Sequence, residues 1–464
     1  MTTAHWQDEA TWAAGIWGAA DLGDPRRTKR VVQVATQLAT QPDASLPQQC
    51  GGWAGLKAAY RLLSNPQISP AALNVPVWQA TLEQARSVPG VVLFIQDGTD
   101  LNFAHHPHTS GLAKAPKNDQ GHLKVQTTVS VVPARHQRDL GLLGVAHQQT
   151  WVRTTSRQGE ARAARYQRWN EGEVWAESLE ACGAPPAGAR WVSVSDRGSD
   201  DFKYFQRAVA AGWQIVARAA RTRQVTVDGQ VGSLFPVIRA QPRVAELHLE
   251  LAARPGHPAG PVTVQLSYQQ LSVSPPKNAP APKGAALTMW VVRAWSVVDD
   301  LEWILLTTVP VHSVQEAVQI VVWYAHRWVI EEYHKALKTG CRFEASQLQT
   351  VLSLQRLLAL LSPVAARLLA LRSLSRTHPT DLAQQYVTLD LIRLVVRKRR
   401  LNTAPQQLTL RAFWHALAQI GGFIGRRRDG DPGWQTLWRG WAWLTEAAWL
   451  LDLDVSVGLY PTCG

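Results

Sequence analysis

The hydrophobic pattern changes character three times along the 464 residues. Up to about residue 70, apolar positions recur at helical spacing. Trp6–Ala20 and Arg27–Thr40 read as two helices split by the turn Leu22-Gly23-Asp24-Pro25. A third runs from about Gly52 to Leu63 and stops at Asn65-Pro66. From about residue 90, short continuous apolar runs replace that period. Val91–Ile95 predicts a buried strand ending at Asp97, and Trp191–Ser195 predicts another ending at Asp196. Leu123–Val132 and Leu140–Val152 are β-rich, with a turn over Pro133–Asp139. Glu160–Cys182 and Asp201–Ala211 read as helices, and Trp213–Arg218 as a strand. The order is three strands, helix, strand, helix, strand. It puts both aspartates at carboxyl ends of strands, where open α/β sheets bind their ligands.

The third change covers about 225 to 300, which is short of helix formers and carries Pro-rich breaks at Ser274-Pro275-Pro276 and Ala279–Pro282. It reads as an all-β insertion. Trp303–Val309 resumes the main sheet, and one helix runs from about Ser313 to Thr339. Beyond 350 the chain reads helical throughout. Its most apolar stretch, Leu357–Leu371, contains Pro363 and Arg367 and predicts a buried helix pair.

Charge narrows the partner. The net charge is +13 and the pI near 9.9, which favours a polyanion, nucleic acid first and a membrane surface second. Arg26-Arg27-Thr28-Lys29-Arg30 opens the second helix, and Arg397–Arg400 and Arg426–Arg428 are further basic clusters. Each is also what a solvated helix face looks like. Four cysteines, Cys50, Cys182, Cys341 and Cys463, form no close pair, so reduced thiols in a cytoplasmic compartment are expected. Met1–Glu9 has no secretory pattern, and no spanning helix is expected. The 21 Trp exceed Phe and Tyr together, which supplies core anchors and some candidates for stacking on bases.

The segment Trp323–Lys338 is the most informative. At about 100° per residue, Tyr324, Arg327, Glu331 and Lys338 fall within about 60° of one another. Val329, Ile330, Tyr333, Ala336 and Leu337 take the opposite side. One face is then core, and the other carries a phenol, a guanidinium, a carboxylate and an ammonium. Glu332 points away from that stripe. An amphipathic surface helix with an Arg327–Glu331–Lys335 ladder gives the same pattern. Asp97, Asp196 and Glu331, if brought together, suit two Mg²⁺ ions, which take hard oxygen ligands and clamp an in-line phosphoryl transfer. Tyr324, Arg327 and Lys338 would then hold phosphates. Taken singly, each aspartate also reads as a loop or cap residue.

These residues resemble a known family. The spacing Tyr-x2-Arg-x3-Glu-x6-Lys at Tyr324, Arg327, Glu331 and Lys338 is similar to the Tyr-Arg-Glu-Lys signature of a group of bacterial insertion-sequence transposases, the hairpin-forming DDE cut-and-paste enzymes. Asp97-Gly98-Thr99 and Ser195-Asp196-Arg197 resemble the two acidic motifs, and His147-Gln148 with Trp151 the strand between them. Leu22–Arg27, Ala59-Tyr60-Arg61 and Asn65-Pro66 resemble the N-terminal DNA-binding region. Ile420–Phe423 and Gly433-Trp434, Leu437-Trp438 and Gly440-Trp441 resemble the helical C-terminal region. The resemblance spans nearly the whole chain.

It implies an α/β fold with a ribonuclease H-like mixed-sheet core. The expected domains are a helical DNA-binding domain over 1–70, a catalytic core over 71–372 with the β-rich insertion at about 225–300, and a helical dimerisation domain over 373–464. Asp97, Asp196 and Glu331 would bind two Mg²⁺, with Mn²⁺ also acceptable. Water activated there would nick one strand at the transposon end. The freed 3′-OH would attack the other strand to form a hairpin, a second water would open it, and the 3′-OH would join target DNA. Tyr324, Arg327 and Lys338 would hold a phosphate of the hairpinned strand. Trp303 matches a Trp that stacks on a flipped base, though a core aromatic at a strand start fits it too. Arg218 matches a DNA-contacting Arg, while Ala220 stands where the family has a Lys. Arg26, Arg27 and Arg30 are further DNA-contact candidates. The implied partners are double-stranded DNA and a second copy of the chain in the DNA complex, with no membrane. The implied setting is a bacterial cytoplasm, at the nucleoid. A transposase-derived DNA-binding protein without catalysis is the alternative reading.

Overall fold

A computed structural model describes residues 5–112, 121–133, 140–153, 169–251, 260–276, 284–376, 378–426, 429–453 and 457–458. A two-residue strand β1 (His5–Trp6) precedes five helices: α1 (Glu9–Trp17), α2 (Pro25–Thr40), α3 (Leu46–Gln49), α4 (Trp53–Leu63) and α5 (Pro70–Ser87). Local chemistry sets their starts. The Asp8 carboxylate accepts from the amides of Ala10 and Thr11, and Asp24 accepts from Arg26 ahead of a helix that begins with Pro25. Val31, Val34, Ala35 and Leu38 form the buried stripe of α2. α5 has no single apolar stripe in the sequence. Pro76 interrupts its pattern, and the two sides of the helix face different apolar clusters, Leu73 and Val77 in one and Leu82 and Ala85 in the other.

The core follows: β2 (Val91–Asn102), β3 (His122–Pro133), β4 (Leu140–Trp151), α6 (Val174–Cys182), β5 (Arg190–Ser195), α7 (Phe202–Ala210) and β6 (Gln214–Arg218). Of the helix expected over Glu160–Cys182, the part up to residue 168 lies outside the described residues. Next come β7 (Gln224–Val227), β8 (Gln230–Ser233), α8 (Leu234–Arg239), β9 (Ala245–Leu251), β10 (Gly260–Val273), β11 (Leu287–Trp295) and β12 (Glu302–Thr307). Among the described residues these strands make one eleven-stranded sheet in the order β4-β3-β2-β5-β6-β12-β11-β10-β7-β8, with β9 also on β10. The segment 225–300 is therefore neither purely β nor separate. It contains α8, and β11 pairs with β12 to extend the main sheet. Its second Pro-rich break, Ala279–Pro282, lies outside the described residues.

The sheet is mixed. The pairs β4–β3 and β3–β2 are antiparallel, while β2 with β5 and β5 with β6 are parallel. Successive residues of β2 face opposite layers. Leu93 and Ile95 join one apolar cluster, and Val92 and Phe94 join the other with Trp191 and Trp213. Burial on both faces is why this run reads as continuously apolar. The strand does not end at Asp97. Gly98 to Asn102 continue antiparallel to β3, from Gly98↔Gln126 to Asn102↔His122. What ends there is the parallel pairing, whose last register is Gln96↔Ser195, one residue before each aspartate.

Two helical expectations are corrected. The stretch expected as one helix to Thr339 is α9 (Val314–Ala325), α10 (Trp328–Lys335) and a π-turn over Ala336–Gly340. The break is a tightened turn. Arg327 N–H donates to the Tyr324 carbonyl, Val329 to His326 and Ile330 to Arg327, each three residues back. Conversely, the expected helix pair at Leu357–Leu371 is one helix, α11 (Val351–Leu374), continuous through Pro363. Every residue from Leu357 to Leu369 is buried, so packing on all sides holds it straight through a residue that lacks an N–H. By length and composition α11 could cross a membrane, but 83% of its most apolar window is buried inside the fold. Helices α12 (Leu389–Arg399), α13 (Leu410–Ile420) and α14 (Trp434–Leu450) follow, and β13 (Val457–Gly458) pairs antiparallel with β1. Arg427, Arg428 and Cys463 lie outside the described residues. Cys50, Cys182 and Cys341 are free and buried.

Candidate active site

The carboxyl ends of the parallel strands set the site. Asp97 follows the last parallel register of β2, and one Oδ accepts from Gly98 N–H at 2.8 Å. Asp196 follows β5 and caps a short turn by accepting from Gly198 N–H at 2.7 Å. Gly198 must be small. A Cβ there would stand 2.9 Å from the Trp175 ring and 3.0 Å from the Asp196 carboxylate.

The tightened turn brings α10 to these strands. Arg327 Nη1 donates to Asp97 Oδ2 at 2.9 Å and to Glu331 Oε1 at 3.2 Å, and Nη2 donates to the same Oε1 at 3.3 Å. One guanidinium thus bridges two carboxylates 234 residues apart in sequence. Buried hydrogen bonds hold α10 down. The Tyr333 hydroxyl meets Ser362 on α11 at 2.6 Å and accepts from Gln148 on β4 at 3.2 Å. Ile330, Tyr333, Ala336 and Leu337 face the core, as their spacing predicts. Glu332 points elsewhere and pairs with Arg372 at 3.3 Å.

Electrostatics mark Asp97 most strongly. Burial pushes its carboxyl up to about 7; Arg327 opposes that rise, and Asp196 and Glu331 add to it. Tyr324 is buried at 4% exposure, and burial raises its phenol against the pull of Arg327 and Arg218. Burial works to lower the Arg327 pKa, but Tyr324, Asp97, Glu331 and Asp196 outweigh it, so this cation is held firmly protonated.

The other expected residues divide. Trp303 is 8% exposed, with its ring edge-on to Tyr324 at 4.9 Å between centroids. Arg218 donates to the Glu302 carbonyl at 2.9 Å, and burial lowers its pKa against the opposing effect of the Tyr324 phenol. Lys338 lies in the π-turn and donates to the Asp100 carbonyl at 2.7 Å, beside the Lys124–Asp100 ion pair at 2.6 Å. Arg26 and Arg30 are exposed on α2, whereas Arg27 donates to the Leu22 carbonyl at 2.9 Å and to the Gln67 side chain. Near Ala220 the backbone is anchored, since the amides of Ala220 and Arg221 both donate to Asp200.

One further neighbour of the acids, His334, is not among the residues expected from the sequence. A ring nitrogen of His334 and carboxylate oxygens of Asp97 and Glu331 lie within 4.8 Å of one another. Burial, with Lys338 and Arg327 nearby, pushes this imidazole down to about 3. The signal was present as Glu-x2-His, which places both side chains on one helix face. Two partly buried carboxylates and a buried imidazole with donor atoms within 4.8 Å of one another, one of the acids held protonated to higher pH by its burial and acidic neighbours, fit a divalent cation.

A sheet of this kind with acids at the ends of its parallel strands defines a candidate phosphoryl-transfer site. Two protein-family models then match the chain: transposase DNA-binding over residues 9–68 and transposase DDE domain over residues 192–369. The chain thus contains the DNA-binding and DDE domains of a transposase, with Asp97 lying between the two matched stretches. Among solved structures it is similar to a piggyBac transposase synaptic complex with hairpin DNA, determined by cryo-electron microscopy. That similarity has 11% identity and a TM-score of 0.33, covering 89% of this chain and 78% of the other.

Proposed function

We propose that this chain is an active transposase of the Tyr-Arg-Glu-Lys class, cutting and joining DNA at Asp97, Asp196 and Glu331. The observation that carries this is the Arg327 bridge between Asp97 and Glu331, beside Asp196 at the next strand end. The strand order β4-β3-β2-β5-β6, three antiparallel then two parallel, supports a ribonuclease H-like core. We assign residues 1–70 to end recognition, 71–372 to catalysis and 373–464 to dimerisation.

Asp97, Asp196 and Glu331 would hold two divalent cations, Mg²⁺ or Mn²⁺. Bound there, the cations supply an activated water and offset charge on the attacking and leaving oxygens. Arg327 holds Asp97 and Glu331 at their working separation. Tyr324 and Lys338, with Arg327, grip a phosphate of the cut strand, and Trp303 offers a platform for a flipped base once its ring is uncovered. Arg218 steadies Tyr324 from beneath. Arg26 and Arg30 contact phosphates of the end repeat, while Arg27 orders the turn that presents them. Hydrolysis nicks one strand, the 3′-OH closes a hairpin, water reopens it, and the same 3′-OH attacks target DNA.

The test is a denaturing-gel cleavage assay on linear DNA carrying the repeats that flank the gene, with wild type and Asp97→Ala, with and without Mg²⁺. Metal-dependent nicks and hairpins from wild type alone are expected. End binding by folded wild type with no product under any metal would remove the catalytic reading and leave a DNA-binding protein.

A further inference from the structure

The cluster around Asp97 contains a donor of different chemistry from its carboxylates. His334 sits one helical turn after Glu331, so the two side chains leave the same face of α10. It is 6% exposed, and its Nε2 has no hydrogen-bond partner among the described residues. A buried imidazole nitrogen without a partner is costly unless something engages it. A ring nitrogen of this side chain lies within 4.8 Å of carboxylate oxygens from Asp97 and Glu331, a separation that one ion can span. The space between the two acids already accommodates positive charge, since Arg327 bridges them.

We infer that His334 is a third ligand to the cation held by Asp97 and Glu331, making that position a mixed carboxylate–imidazole site. This inference rests on the metal-dependent reading above. Two consequences follow from ligand chemistry. Imidazole is a borderline donor, so this position prefers Mn²⁺ or Co²⁺ over Mg²⁺, whereas an all-carboxylate site accepts Mg²⁺ on more equal terms. Asp196, which is not among the three donors that lie within 4.8 Å of one another, would serve a second position without imidazole.

The experiment is pulsed electron paramagnetic resonance on the full-length protein titrated with Mn²⁺ alone, with no DNA present. A directly bound imidazole gives nitrogen modulation of the Mn²⁺ echo that carboxylates and water do not. The expected result is that wild type shows this modulation and His334→Gln does not. Loss of the ligand should also weaken Mn²⁺ binding by about ten-fold or more and Mg²⁺ binding by less, so that the Mn²⁺/Mg²⁺ preference falls. His334→Asn serves if the Gln variant does not fold, judged by circular dichroism. Mn²⁺ bound to wild type without nitrogen modulation overturns the assignment while leaving the carboxylate site standing. Modulation that persists in the variant also overturns it, because another nitrogen is then the ligand. No Mn²⁺ binding by wild type removes the assignment and the metal-dependent reading together.

Discussion

Two long helical stretches, Val314–Gly340 and Val351–Leu374, carry opposite irregularities. The first contains no proline and no glycine before Gly340, yet it breaks at His326–Arg327 and loosens into a π-turn at its end. The second contains Pro363 at its centre and runs unbroken. Local propensity predicts the reverse in both places. The difference lies in what each helix packs against. α11 is buried without a break from Leu357 to Leu369, and burial on all sides favours a plain rod. α9 and α10 meet the edge where parallel pairing stops, and the tightened turn lets Arg327 reach Asp97 while Tyr333 stays in the core. Departures from regular geometry gather at working sites because a specific side-chain position outweighs a few strained or missing backbone bonds.

The sharpest test of that contrast removes chemistry from the broken stretch. Glu331→Gln should lower nicking by about 10³-fold or more, a loss of several kcal/mol, while end binding and fold survive. Glu332→Gln, one residue on and paired with Arg372, should leave nicking unchanged. A gel assay showing equal losses for both would dissolve the distinction between the two glutamates. In the continuous helix the large effect is on stability. Leu360 is fully buried, and Leu360→Ala should cost about 2–5 kcal/mol in urea unfolding.

The pH response comes next. The folded protein raises the Asp97 carboxyl from near 4 to about 7, so between those values the folded state binds more protons than the unfolded one. Without metal, stability should therefore fall as pH rises from about 4 to about 7 and level off above that. Asp97→Asn should flatten that slope in melting experiments, and an unchanged slope would assign it to another group. Nicking, which needs the ionised carboxylate, should rise over the upper part of the same window. The smallest effect is expected for Pro363→Ala. It restores an N–H for the Ala359 carbonyl but removes packed ring atoms, so stability should move by no more than about 1 kcal/mol either way. A much larger loss would mean that the proline ring itself holds α11 in register.

The strands of the core were readable because β2 and β5 are buried on both faces and therefore continuously apolar. Asp97, Asp196 and Glu331 were readable as candidates from the resemblance and from their positions after apolar runs. By their spacing Tyr324, Arg327 and Lys338 share a stripe on one uniform helix, whereas the chain has a break and a π-turn there, with Arg327 on Asp97 and Glu331 and Lys338 on the Asp100 carbonyl. Constant periodicity carries no information about a turn made by three-residue hydrogen bonds with ordinary side chains. The extension of β2 to Asn102 was hidden because its pairing partner, β3, lies 20 and more residues on, and Gly98 and Asp100 are poor strand formers. α5 was hidden because its apolar positions serve two different cores, which blurs any single stripe. His334 was visible in spacing but silent without the fold, since a helical His beside a Glu is ordinary until a strand end brings Asp97 next to it.

Two buried arginines on α11 have a mechanical consequence. Arg356 donates to the carbonyls of Leu63 and Ile68, and Arg367 to the carbonyl of Gln7 and the carboxylate of Glu9. The same helix touches the catalytic side through Ser362 and Tyr333. The N-terminal helices are thus bolted to the frame that carries the acids, with no slack tether between them. If, as proposed, the protein grips DNA with one and cuts it with the other, that frame acts as a calliper. On that reading the distance from the gripped sequence to the cut phosphate is set by the protein, and lengthening the DNA between them by a few base pairs should move the cut by the same amount rather than stretch the protein to follow it.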